Sequence, residues 1–147
     1  MFGEYYLWNL VGNPLETTIT AAHMLLSGLF DRHPDLTVVL AHGGGALLAL
    51  RGRLRHGHAV QPAARASLHG APDDALRRFY LDTVVHDPVL LHSLVEFVGA
   101  DHVLLGSDFP FDMGDPDPTG TVRRANLGAE AEAAVLGGNA DRLFGLS

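Results

Sequence analysis

Cysteine is absent from the 147-residue chain. That excludes disulfides and thiolate ligands, and leaves any metal to His, Asp and Glu. A basic surplus is absent too: 10 Lys and Arg stand against 17 Asp and Glu, for a net charge of −7. Nucleic acid and anionic membrane surfaces both need clustered positive charge, so neither is expected as a partner. A small anion remains admissible, because one local Arg can outweigh the global sign. No apolar run approaches the length of a membrane span, and the opening "MFGEYYLWNL" carries an acid and no base, unlike a secretory leader. The default expectation is a soluble, cytoplasmic protein. Hydrophobic residues make up 47%, a globular composition, and the length suits one domain with its own core, expected over 1–147.

What is present is an alternation of helix and strand patterns. In "GNPLETT", Asn13 reads as an N-cap, Pro14 as a first helical residue and Glu16 as the partner in a capping box. Leu15, Ile19, Ala22, Leu26 and Leu29 recur at helical spacing until His33-Pro34 ends the run. Thr37 to Ala41 follows as a strand without polar alternation, the pattern of a strand covered on both faces. Leu47, Leu50 and Leu54 stripe the next helix, and 57–73 has the composition of a loop. "FYLDT" is a second strand. Asp87-Pro88 opens a helix through Leu90, Leu91, Leu94, Val95 and Val98 to Gly99, and "HVLLGSD" is a third strand. Short terminal helices close the chain, the last read as capped by Asn139. Alternation of this kind predicts parallel β/α units. Three strands fall short of a closed barrel, which takes eight and about 250 residues. Either a small open sheet or the last part of a larger barrel is expected.

Each strand finishes on a polar side chain: His42, Asp82 and Asp108. In β/α folds the loops after the strands surround the chemistry. Taken singly, His42 reads equally as an interior histidine, Asp82 as a cap of the following turn, and Asp108 before Phe109-Pro110 as a turn residue. Taken together, a His and an Asp from nearby parallel strands make a natural pair of metal ligand and acid/base. The three glycines in "TVVLAHGGG" let backbone or ligand approach His42 closely. They are a weak phosphate cradle, since no Lys stands where a P-loop needs one.

The blocks "WNLVGNPLETT", "HPDLTVVLAHGGG", "GRLRHG", "YLDTVVHDP", "VLLGSDFPF" and "GGNADRLFGL" occur in this order over nearly the whole chain. In that order they resemble the amidohydrolase-related metal enzymes, and within them the aminocarboxymuconate semialdehyde decarboxylases. The resemblance implies an α/β fold: the C-terminal portion, about three β/α units, of a (β/α)8 TIM barrel of the metal-dependent hydrolase type. It implies His42 as the catalytic histidine and Asp108 as a ligand of the metal, usually zinc. It further implies Arg53 as the arginine that holds a substrate carboxylate in a neighbouring subunit's site, and Trp8 as an aromatic wall of the pocket. The partners it implies are a small carboxylate substrate and a second copy of the enzyme in a homodimer.

The family's His-x-His pair from its first strand, and its further ligand histidine from the fifth, have no counterpart in the sequence. A partial chain, with an incomplete zinc site and inactive alone, is therefore expected. His56-Gly57-His58 sits at a helix end where the family has no ligand and reads as surface. His23, His69 and His102 read as structural or exposed, and His86 as either site mouth or helix entry. The implied activity is a metal-dependent non-oxidative decarboxylation of an aminocarboxymuconate semialdehyde-like or aromatic carboxylic acid. The alternatives are an amidohydrolase-type hydrolysis and a non-catalytic barrel fragment.

Overall fold

A computed structural model describes residues 3–146; Met1, Phe2 and Ser147 of the expected 1–147 domain lie outside the described residues. The chain divides into two units, one of residues up to Leu40 together with Gly44–Phe79, the other of Ala41–Gly43 together with residues from Tyr80 on.

In the first unit a π-helical turn, Trp8–Gly12, runs without a break into helix α1, Asn13–Leu26. The expected cap at Asn13 is thereby overturned. Its backbone is already helical and its amide donates to the Trp8 carbonyl, so no free amide is left there for a side chain to satisfy. The face buried by α1 also differs from the expected stripe. Thr18, Ala21 and Leu25 are buried, whereas Leu15 and Ile19 are exposed, Ile19 by 57%. Close backbone approach selects the small side of the helix. The Ala46 amide donates to Thr18 Oγ1 at 2.8 Å, and a Cβ on Gly45 would lie 2.2 Å from the Pro14 carbonyl. Only a Gly at 45, meeting Pro14 and Thr18 opposite, permits that distance.

Gly28, in the left-handed region at φ 68°, separates α1 from the short helix α2, Leu29–Arg32. Strand β1 is only Val39–Leu40. Leu40 is buried but Val39 is 44% exposed, so the expected coverage of both faces fails at Val39. Helix α3, Leu47–Val60, continues into the segment expected to be loop, and buries Leu47 while leaving Leu50 exposed. A 3-10 turn, Pro62–Arg65, and helix α4, Pro72–Leu76, complete the unit. Its core sets Leu25, Leu47, Leu76 and Phe79 together with Phe30, whose ring meets that of Phe79 edge to face at 4.9 Å.

The second unit is a β-α-β arrangement with a helical tail. Strands β2, Tyr80–Asp82, and β3, Val103–Leu104, pair in parallel with Leu81 opposite Val103 and Asp82 opposite Leu104. The connecting helix α5 is Pro88–Val98. Asp87 caps it as expected: its carboxylate accepts from the amides of Val89 and Leu90, with Pro88 in the first turn. Leu91, Leu94, Val95 and Val98 are buried, but Leu90 is not. Helices α6, Pro118–Arg124, and α7, Ala129–Ala133, follow, then a π-helical turn, Ala134–Gly138, and helix α8, Asn139–Phe144.

Asn139 is no cap, because the chain is already helical before it. It is fully buried instead, and its amide donates to the carbonyls of Ala100 and Val103, both at 2.7 Å. That ties the tail to the entry of β3. Replacing it leaves two carbonyls without donors, each costing about 1–3 kcal/mol. Asn139→Ala is expected to lower stability by about 2–4 kcal/mol in urea unfolding. Asn139→Asp, which sets an acceptor against two acceptors, is expected to lower it at least as far at neutral pH.

Candidate active site

Beyond β1 the backbone does something uncommon. His42, Gly43, Gly44 and Gly45 have φ of 57°, 57°, 77° and 66°, four left-handed residues in succession. An L side chain there costs roughly 1–2 kcal/mol per residue, and glycine costs little. Three of the four positions are glycine, so His42 is the one residue of the turn that bears the strain. A Cβ on Gly43 would also lie 2.3 Å from Val85 Cγ1 and 3.1 Å from Leu94 Cδ1. The glycines therefore answer to conformation and close packing.

Successive amides in such a turn converge and form a nest for an anion. The nest is filled from within the second unit by Asp82 at the end of β2. Its Oδ2 accepts from the His42 amide at 3.1 Å and its Oδ1 from the Gly43 amide at 2.7 Å. Oδ1 also accepts from the Val84 amide at 3.1 Å. Gly106 makes room for this carboxylate, since a Cβ there would lie 2.9 Å from Asp82 Cβ. One residue along, the buried Thr83 hydroxyl accepts from the Gly106 amide and donates to the Gly106 carbonyl, at 3.0 and 3.2 Å. Asp82 and Thr83 thus tie the end of β2 to the histidine turn on one side and to the exit of β3 on the other.

Burial pushes the Asp82 carboxyl above its usual 3.8, against the opposing pull of the Gly43, Val84 and His42 amides and of the charge on His42. The imidazole of His42 is half-buried, and its Nδ1 is buried without a hydrogen-bond partner among the described residues. Asp108 follows β3, half-buried, and is also left-handed at φ 59°. Its loop is held by Phe111 donating to the Asp108 carbonyl at 3.0 Å and Asp115 donating to the Ser107 carbonyl at 2.8 Å. A few residues on, Asp117 caps α6 through the Gly120 amide and pairs with Arg124, whose guanidinium holds that exposed carboxyl below its usual range.

His42, Asp82 and Asp108 all belong to the second unit; Trp8 and Arg53 belong to the first. Trp8 is 52% exposed, its ring edge-on to Tyr6 at 5.1 Å. Arg53 is exposed on α3 and lines a groove with Leu50, Leu54 and Val60. Of the other histidines, His56 is exposed and His58 meets the Leu68 carbonyl at 3.0 Å. His69 is exposed, His23 lies on α1, and His102 packs on the Tyr80 ring at 4.7 Å beside Asp101. His86 is exposed and left-handed at the entry to α5.

Among the described residues no three His, Asp or Glu side chains converge to hold a metal ion. His42 Nδ1 is an orphaned donor or acceptor of the right kind, but the residues present do not make a metal site by themselves.

Comparison with known proteins now places the chain. The family model described as Amidohydrolase matches residues 3–146. The chain belongs to the amidohydrolase family. A 2-amino-3-carboxymuconate-6-semialdehyde decarboxylase of Dictyostelium discoideum is 36% identical over 145 residues, covering 97% of this chain and 40% of the relative. Among solved structures, 5-carboxyvanillate decarboxylase from Sphingomonas paucimobilis superposes with a TM-score of 0.86 at 32% identity, over 99% of this chain and 45% of that one. A dihydroxybenzoic acid decarboxylase from Polaromonas sp. JS666, solved with manganese and the inhibitor 2-nitroresorcinol, gives 0.77 at 25% identity, over 90% and 41%. The chain spans about 40% of the length of such relatives. The expected fold, part of a (β/α)8 barrel of this amidohydrolase type, and the resemblance to the decarboxylase branch both stand. No helix among the described residues is long and apolar enough to cross a membrane.

Sequence reasoning placed Asp82 at a strand end but left open what it does. The signal was present in "AHGGG" and "LDT": a run of glycine amides in one place and a strand-terminal carboxylate in the other. Replacing Asp82 by Ala strips the acceptor from three amides and is expected to cost about 2–4 kcal/mol. Because the native carboxyl titrates above 3.8, the folded state keeps a proton that the unfolded state has lost. The part of stability due to this proton is full below pH 3.8 and is lost as pH rises through the raised value. Urea unfolding at a series of pH values checks the sign: the advantage of the natural chain over Asp82→Ala should shrink on going from pH 3.8 toward neutrality.

Proposed function

We propose that this chain carries the acid/base histidine and one metal-ligating aspartate of a non-oxidative decarboxylase. The observation that carries the reading is His42: it is held in a left-handed backbone at a strand end, with a buried, unpartnered Nδ1. Strained residues with unused polar atoms cluster where chemistry is done. The similarity to several decarboxylases of small carboxylates supports the same class of reaction.

In this reading the substrate is a conjugated or aromatic carboxylate of the aminocarboxymuconate semialdehyde or hydroxybenzoate kind. His42 serves as the general acid and gives a proton to the carbon that bears the carboxylate. A C–H bond forms and conjugation is interrupted. The C–C bond to the carboxylate then breaks, its electron pair restores conjugation, and carbon dioxide leaves. No electrons are exchanged, so no redox cofactor is required. Arg53 is proposed to orient the carboxylate by a bidentate pair, from the neighbouring copy in a homodimer, and Trp8 to wall the pocket. Asp108 would contribute to a divalent metal centre, zinc by the sequence resemblance and manganese by analogy with the Polaromonas relative. Asp108 supplies too few donors for that centre, even with His42 added, so on this reading the 147 residues alone are inactive.

Two measurements test this. Equilibrium dialysis of the 147-residue protein against zinc or manganese should leave well under one tightly held ion. Joined to the N-terminal part of the Dictyostelium relative, the same residues should release carbon dioxide from such carboxylates. His42→Asn in that chimera should lower kcat by about 10²–10⁴-fold, the usual yield of a positioned acid/base. Turnover by amide or lactone hydrolysis with no carbon dioxide would instead assign the hydrolase chemistry of the wider family.

A further inference from the structure

Catalytic histidines are commonly aimed by a carboxylate or carbonyl that takes the proton on their second ring nitrogen. His42 has no such partner: Nδ1 is buried and makes no hydrogen bond among the described residues. Something else has to fix the direction of the ring. The candidates are its packing and its backbone, and the backbone is held with unusual specificity. The amide of His42 and that of Gly43 converge on the two oxygens of Asp82, at 3.1 and 2.7 Å. The conformation so held is one that an L residue rarely adopts, with φ of 57°.

We infer that Asp82 is the positioning residue of the site, aiming the His42 imidazole by clamping its left-handed backbone through the amides of His42 and Gly43. The inference rests on the reading of His42 as the proton donor for its catalytic meaning, though not for its structural content. Three features of the surroundings serve the clamp. Gly106 vacates the space that Asp82 occupies, with only 2.9 Å from its would-be Cβ to Asp82 Cβ. Gly43 lets the turn close on Val85 and Leu94. The Val84 amide, at 3.1 Å from Oδ1, fixes the carboxylate itself, so that both oxygens face the turn in one rotamer.

The two oxygens are not equivalent, and this gives the test its edge. Oδ1 serves Gly43 and Val84, whereas Oδ2 serves His42 alone. An amide in place of the carboxylate keeps one oxygen for the first pair and turns an NH2 group toward the His42 amide, donor against donor. Asp82→Asn should therefore release His42 selectively. A variant of Thr83, the neighbouring stitch between β2 and the exit of β3, serves as the structural control, since its hydroxyl bonds to Gly106 and not to the histidine turn.

The experiment uses the 147-residue protein with labelled histidine, followed by NMR, the His42 ring signal being assigned by its loss in His42→Gln. Asp82→Asn should split or shift the His42 ring signal and raise the amide exchange rate of His42 by about tenfold or more relative to those of Gly43 and Val103, since the His42 amide alone loses its acceptor. Thr83→Val should lower global stability while leaving the His42 ring signal where it was. Gly106→Ala, which crowds Asp82 from the other side, should reproduce the effect of Asp82→Asn on the ring. An unchanged His42 ring signal in Asp82→Asn, with exchange raised equally throughout the protein, would overturn the inference. So would a Thr83→Val ring shift as large as that of Asp82→Asn. None of these readouts depends on turnover, so a site that proves to be hydrolytic or silent leaves the clamp standing or falling by itself.

Discussion

One carboxylate accepting three backbone amides is the interaction around which the second unit is arranged. Asp82 stands at the end of β2 and satisfies amides of His42 and Gly43, far earlier in the chain, and of Val84 just after it. Without an acceptor there, the left-handed turn that opens at His42 would present converging donors to a poorly hydrated interior. The cost of burying the carboxylate is visible in its raised proton affinity. The neighbouring Thr83 and Gly106 exist in the same logic, one as a second stitch and the other as the space in which the first is made.

This arrangement explains why the triple glycine comes directly after the histidine. Glycine there is required twice: by the sign of φ, and by contacts with Val85 and Leu94 at Gly43 and with the Pro14 carbonyl at Gly45. The turn is an anion nest in form, but the anion is part of the protein. A ligand phosphate is unnecessary to account for it.

Much of this was legible in the residues alone, and the failures are physical. The β/α alternation, the Asp87 cap with Pro88 and the buried side of α5 arise from local chemistry, and the structure contains them. Asn13 and Asn139 misled because a cap is recognised by the helical pattern on its C-terminal side, while here the helix had already begun upstream in π-helical turns. The stripe of Leu15 and Ile19 misled because periodicity ranks faces by hydrophobicity. The face used by α1 is the one where Pro14 and Thr18 meet the Gly45–Ala46 backbone. The candidate site was half legible. Strand ends drew attention to His42 and Asp82, which the structure brings together, but a bond joining residues 43 and 82 has no local trace. The metal donors that the family resemblance implies are too few within the described residues for any spacing argument to assemble them.

The exposed flank of α1 has a meaning of its own. Ile19 is wet while Ala21, two residues on and on the opposite side of the helix, has no accessible area. Ile19 is more than half exposed and borders only a shallow groove with Ala22, His23 and Leu26. A polar residue there is expected to cost the helix's own unit little, so tolerance at that position reports on whatever lies outside it. A chain that works alone would accept serine or glutamate there freely. One that lives against a further layer of protein would reject them, and a saturation screen at this single codon would tell the two lives apart.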